Sequence, residues 1–132
     1  APILTHTWDG DKTCSAEVAA ETARRHPEVK FLWGHSGAPT FRAAVELACD
    51  LPNVFLELAC SQVLMGQLEY FVKHISAERV LFGSDFPFLS LPQQVAKVVF
   101  ADISESDKEK ILSANAKTLL ASAGVDIDSY LE

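Results

Sequence analysis

The sequence predicts an α/β fold built on a parallel sheet fed by four βα units, and three observations carry that expectation. Four short apolar runs, at residues 2–5, 29–33, 54–59 and 80–82, begin 27, 25 and 26 residues apart. Each interval between them holds apolar residues at helical spacing, the alternation that links parallel strands through crossover helices. The runs are also nearly continuous in apolarity, as expected of strands covered on both faces.

Each element has its own local reason. The first run, Pro2-Ile3-Leu4-Thr5, is followed by an Ala-rich helical stretch over 15–26, with Ser15 as N-cap and Pro27 as stop. After the second run, Phe41, Ala44, Val45 and Ala48 fall at i, i+3, i+4 and i+7, and Pro39 suits the first helical turn. Leu64, Leu68, Phe71, Val72 and Ile75 repeat the stripe after the third run. Val95, Val98 and Val99 do so after the fourth, with Pro92 near the helix start. Ser106-Asp107-Lys108-Glu109 offers a capping box ahead of Ile111, Leu112, Ala116, Leu119 and Leu120, so a C-terminal helix follows and Gly124 ends its pattern. The last eight residues are expected to form an exposed tail.

No linker or charge block divides the chain, so residues 1–132 are expected to form a single domain. Four βα units are half of the eight that close a β/α barrel, which takes about 200 to 250 residues. The periodicity alone leaves an open doubly wound sheet as the other architecture. Eleven basic against eighteen acidic residues give a formal charge of −7, which argues against nucleic acid and anionic membrane as partners. No apolar run approaches the roughly 20 residues that span a bilayer. The first residues lack the basic start and apolar core of a signal peptide. Cys14, Cys49 and Cys60 are scattered and odd in number, which points away from a disulfide framework and towards a reducing, cytoplasmic setting.

In a parallel α/β sheet, ligands bind beyond the carboxyl ends of the strands, where loops and helix N-termini converge. The residues expected at that rim are His6, His35, Cys60-Ser61 and Ser84-Asp85. Imidazole and carboxylate are the usual non-thiolate ligands of zinc and similar ions, so His6, His35 and Asp85 are the candidate constituents of a hydrolytic metal site. Their alternative role is to cap loops through backbone hydrogen bonds.

With these residues in view, the chain resembles the C-terminal half of the amidohydrolase-related, metal-dependent hydrolases with a TIM-barrel fold. The resemblance runs through LTHT, FLWGHSGAP, PNVFLELAC, RVLFGSDFP and ILSANAKTLL, and covers nearly the whole chain. It implies a (β/α)4 half of a TIM barrel plus a C-terminal helix. It implies that His6 and Asp85 are metal ligands, with zinc as the first candidate and manganese as the second, and that His35 and Asp85 are catalytic. His35 would contact the substrate and polarise the oxygen under attack, while Asp85 accepts a proton from a metal-activated water. The implied substrate is a small carboxylated or cyclic organic molecule. Non-oxidative decarboxylation within the same family is the alternative reaction, and a non-catalytic half-barrel module for oligomerisation or complementation is the alternative role. The family's first strand supplies two further ligands from a His-x-His pair, which occurs nowhere in this sequence. The chain by itself is therefore expected to be inactive or metal-poor. Its edge strands predict either a homo-oligomer or pairing with a missing N-terminal half.

The remaining candidates divide between structure and site. His26 and His74 end predicted helices and read as structural. Trp33 reads as filling the barrel interior or a sheet face, and Trp8, just beyond His6 at the rim, is a candidate for lining a substrate pocket. Glu57, inside an apolar strand, needs a partner; a buried ion pair is the first expectation and an active-site carboxylate the second. Cys60 reads as a small packed hydrophobe. Gly34-His35-Ser36-Gly37 offers backbone N–H groups that suit an anion, and Asn115 reads as an anchor for the last helix.

Overall fold

The computed structural model describes residues 1–62, 64–127 and 129. Four parallel strands, β1 (Ile3–Trp8), β2 (Phe31–Ala38), β3 (Val54–Glu57) and β4 (Val80–Leu81), pair in the order β1-β2-β3-β4. A doubly wound sheet reverses its strand order at a switch point, and this sheet has no reversal, so the arrangement is half of a β/α barrel.

Helices α1 (Ala16–Arg25), α2 (Phe41–Cys49), α3 (Gln67–Ile75) and α4 (Leu91–Val99) follow the four strands in turn, with a 3-10 turn at Ala77–Arg79 ahead of β4. Right-handed crossovers repeated in one direction place every helix on the same side of the sheet. Accordingly Ala20, Ala44, Val45, Phe71 and Val98 join Trp33, Val54, Leu56 and Val80 in one core cluster. Burying each large side chain of that cluster contributes about 1.5–3 kcal/mol. Trp33 therefore lies under the helices and not in the barrel interior.

Only one face is covered, against the expectation of a sheet buried on both. Leu4, Leu32 and Phe55 stand in one cross-strand row on the opposite face. Leu4 is 66% exposed, and Leu32 and Phe55 are half-buried. In a closed barrel that row meets the side chains of the facing strands; four strands leave it open.

Local chemistry sets the element ends. Ser15 caps α1, its Oγ accepting from Val18 N at 3.4 Å. Pro39 is not in the first turn of α2: it follows a cis peptide bond and precedes the cap residue Thr40. Leu64 lies ahead of α3 and is exposed, because Gly66, with φ 78°, starts the helix later than the apolar stripe suggests. The C-terminal helix begins at α5 (Glu105–Glu109), two residues earlier than a Ser106 cap implies. Ser104 is the cap: its Oγ accepts from Asp107 N at 3.1 Å and donates to the Asp107 carboxylate at 2.8 Å. The helix continues through a π turn (Lys110–Ala114) into α6 (Asn115–Ala121).

These last turns anchor β4. Phe82 N donates to the Ile111 carbonyl of the π turn at 2.9 Å. Asn115 Nδ2 donates to the carbonyls of Ala77 and Val80 at 2.7 and 2.8 Å, the anchoring role expected of it. At the same end of the sheet, buried Asn53 reaches the carbonyls of Ala23, His26 and Val29 at 3.0–3.1 Å, tying the end of α1 to the start of β3. Of the expected tail, Val125, Asp126 and Ser129 are exposed and Ile127 is half-buried, while residues 128 and 130–132 lie outside the described residues. Among the described residues no helix is long and apolar enough to cross a membrane.

Candidate active site at the carboxyl rim of the sheet

β1 and β2 run further than the apolar pattern shows, because their pairing resumes beyond an irregularity. The register pairs His6 with Gly34, shifts, and then pairs Trp8 with Ala38. The extra length is taken up by His35, Ser36 and Gly37, three successive residues with φ of 65°, 51° and 74°. Left-handed backbone costs a non-glycine residue roughly 1–2 kcal/mol. Hydrogen bonds offset that cost. Ser36 Oγ donates to the Glu57 carbonyl at 2.7 Å, His35 N donates to Glu57 Oε2 at 3.3 Å, and Gly37 N donates to Thr7 Oγ1 at 2.9 Å. Buried Thr7 in turn donates to the Gly34 carbonyl at 2.8 Å. The amides of His35 and Gly37 are thus occupied within the fold and are not offered to an anion.

The bulge turns His35 towards His6. Their ring centroids are 4.5 Å apart at an interplanar angle of 70°. Trp8 completes the cluster, 6.0 Å from the His6 ring and 5.9 Å from the His35 ring. His6 is exposed, and Trp8 and His35 are half-buried, so the group lies open at the rim. His35 Nδ1 contacts the Ala59 carbonyl. A carbonyl only accepts, so Nδ1 carries a proton, and in the neutral ring Nε2 is the nitrogen left with its lone pair.

Glu57 stands beneath this cluster. Its Oε1 accepts from Ala59 N at 2.8 Å and its Oε2 from His35 N. Burial pushes its carboxyl above the usual range; the Ala59 and His35 amides and the His35 ring pull it down, and the charge of Asp85 adds to the rise. The expected ion pair is not found among the described residues: strand-end amides satisfy the carboxylate instead. Lys97, the cation from α4, donates to the carbonyls of Leu58 and Cys60 at 3.2 and 2.5 Å. Its ammonium is pushed down chiefly by burial. Cys60 is buried, consistent with packing.

Asp85 lies just beyond β4 with φ 52°, exposed, and its carbonyl accepts from Phe88 N at 2.9 Å. The structure therefore joins His6 to His35 directly and relates Asp85 to them through its electrostatic influence on Glu57. Among the described residues no three His, Cys, Asp or Glu side chains are grouped so as to hold a metal ion. The imidazole pair has the chemistry of zinc or manganese ligands, but it falls short of the three protein donors a catalytic zinc site uses. Sequence reasoning missed the parts played by Thr7 and the Ala59 carbonyl, since neither residue type signals a site.

A four-stranded, sequentially ordered parallel sheet with helices on one face and imidazoles at its carboxyl rim defines half of a TIM-barrel fold. The family profile for amidohydrolases matches residues 10–121, and the chain belongs to that family. An uncharacterized TIM-barrel protein from Bordetella bronchiseptica is similar in structure, with a TM-score of 0.75 and 23% identity over 93% of this chain and 47% of its own. A zinc-bound amidohydrolase from Burkholderia multivorans has a TM-score of 0.67 and 19% identity over 80% of this chain and 49% of its own. A manganese-bound dihydroxybenzoic acid decarboxylase from a Polaromonas species has a TM-score of 0.61 and 22% identity over 80% and 40%. The chain thus spans less than half the length of these structures. A comparison with curated protein sequences gives no match.

Proposed function

We infer that the chain contributes one half of a metal-dependent active site that hydrolyses a small carboxylated or cyclic organic substrate. The observation that supports this reading is the contact between His6 and His35 at the carboxyl rim of an amidohydrolase-family sheet. In it, His6 and Asp85 are ligands to a divalent cation, zinc or manganese, the ions bound by two of the structural neighbours. Such a cation supplies Lewis acidity at the rim. With Nδ1 engaged by Ala59, neutral His35 offers Nε2 as a proton acceptor. Its role is then to orient and deprotonate the attacking water, in place of polarising the oxygen under attack. The donors this chain lacks come from further βα units, so the chain alone is metal-poor and inactive.

Decarboxylation is the second reading, favoured by the manganese-bound decarboxylase among the neighbours. There the same rim releases carbon dioxide from an aromatic acid, and Asp85 delivers the proton that replaces it. The unpaired edges of β1 and β4 supply the other half of the proposal: they close against a second copy or a separate N-terminal half.

Calorimetric titration of the chain with zinc and with manganese tests the site. Weak binding that His6→Ala and Asp85→Ala each lower by about tenfold or more is expected. Equal binding by the wild type and both variants overturns the ligand assignment. A chain that takes up neither ion, and whose assembly is unchanged by Asp85→Ala, is the non-catalytic module instead.

A further inference from the structure

We propose that Glu57 is a positioning residue for His35: by bridging the amides of His35 and Ala59 it holds the Ala59 carbonyl on Nδ1, which keeps Nε2 unprotonated and facing the rim. The proposal rests on the reading of His35 as a site residue and deepens it.

Three features carry it. Glu57 spends its two carboxylate oxygens on two different strand ends, Oε2 on His35 N of β2 and Oε1 on Ala59 N just beyond β3. An apolar residue at 57 leaves both amides without that acceptor, and a shorter acid cannot span them. Secondly, the space for this carboxylate is reserved by a missing side chain. A Cβ added at Gly83 would lie 1.3 Å from Glu57 Oε1, so no larger residue at 83 coexists with the observed rotamer. Thirdly, no basic side chain forms a salt bridge with Glu57 among the described residues: Lys97 feels its charge only at longer range, and both carboxylate oxygens are spent on backbone amides. What the carboxylate does accomplish is to fix residues 35 and 59, between which the imidazole contact is made.

The test is the tautomer of His35, read from the nitrogen-15 ring signals of the histidine-labelled, metal-free chain above the titration range of its imidazoles. His35→Gln assigns the resonance among the four histidines. The wild type is expected to show a proton on Nδ1 and a bare Nε2. Glu57→Gln puts an amide NH2 against one of the two N–H donors, and Gly83→Ala displaces the carboxylate without altering its charge. Both are expected to convert the His35 signal to a mixture of tautomers while His26 and His74 keep theirs. A wild-type His35 protonated on Nε2, or already mixed, overturns the proposal even if neither variant folds. Folded variants that melt earlier but retain the wild-type His35 signature overturn it too, since that is the mark of a packing role alone. Because no metal is present, the result is independent of whether His6 and Asp85 are ligands.

Discussion

His6 and His35 meet edge to face, ring centroids 4.5 Å apart, because the β1–β2 register sets His6 opposite Gly34 and the following bulge swings the next side chain over it. Trp8 touches both rings, which makes it a reporter of anything the pair binds. Manganese is paramagnetic and quenches a nearby indole. Titrating the chain with manganese is therefore expected to quench Trp8 emission in a saturable way, leaving the contribution of fully buried Trp33. Trp8→Phe removes the quenchable component and His6→Ala removes the response. Quenching that persists unchanged in His6→Ala shows that the ion binds elsewhere.

Gly37 is where the bulge meets helix α2. It has φ 74°, and an added Cβ would lie 2.4 Å from the Ala44 Cβ. Gly37→Ala therefore combines left-handed strain with a clash against a buried helix, a cost of about 2–4 kcal/mol in all. Urea unfolding checks this: the midpoint should fall well below that of Gly10→Ala, where φ is 82° but nothing lies within 4 Å. Equal losses at the two positions show that strain alone sets the cost.

The spacing of the apolar runs made the four βα units legible, because burial under helices imposes an apolar residue wherever a strand passes beneath them. It did not reveal how far β1 and β2 extend. Their last residues, from His6 to Trp8 and from Gly34 to Ala38, are held by the Thr7 hydroxyl, the Glu57 carboxylate and left-handed backbone, none of which has a periodicity. His6 and His35 could be placed at one rim from strand phase alone. Their mutual contact depends on a bulge that no pattern of residue types announces. Glu57 was conspicuous as an acid among apolar neighbours, yet its partners are backbone amides, which every residue carries, so sequence pointed to an ion pair. The uncovered inner face was hidden for another reason: a strand facing a barrel interior is apolar whether or not the facing strands are present.

Glu78 links the 3-10 turn before β4 to the C-terminal helix. It accepts from Lys110 Nζ at 2.8 Å and from Ser76 Oγ, and these contacts hold its carboxyl down at about 2 from an ordinary 4.5. A depressed carboxyl stabilises the fold above its unfolded value, and that contribution is lost as pH falls from about 4.5 to about 2. Because the pair is largely exposed, solvent screening limits its worth to about 0.5 kcal/mol. Urea unfolding of the wild type and Glu78→Gln should differ by about that much near neutral pH and converge towards pH 2. A gap that survives at pH 2, or that is insensitive to added salt, shows that Glu78 stabilises by another route.

Each of β1 and β4 pairs with a single neighbour, so both present an open row of backbone donors and acceptors at the two seams of the half-barrel. Beside the β4 seam, Leu91, Val99 and Phe100 are exposed around α4, and Phe88 on the preceding loop is 86% exposed. A helix that follows a barrel strand packs between it and the next strand in the ring; here that next strand is absent, which leaves the apolar flank of α4 in water. Leu4 on the inner face lacks cover for the same reason. Two copies joined β4 to β1 about a two-fold axis cover all three surfaces at once and bring two His6–His35 pairs to one rim. Size-exclusion chromatography with light scattering should therefore give a dimer, and Val99→Lys combined with Leu4→Lys should shift the population to monomer. A wild-type chain that elutes as a stable, non-aggregating monomer rules out closure by self-association and leaves a separate N-terminal half as the partner to seek.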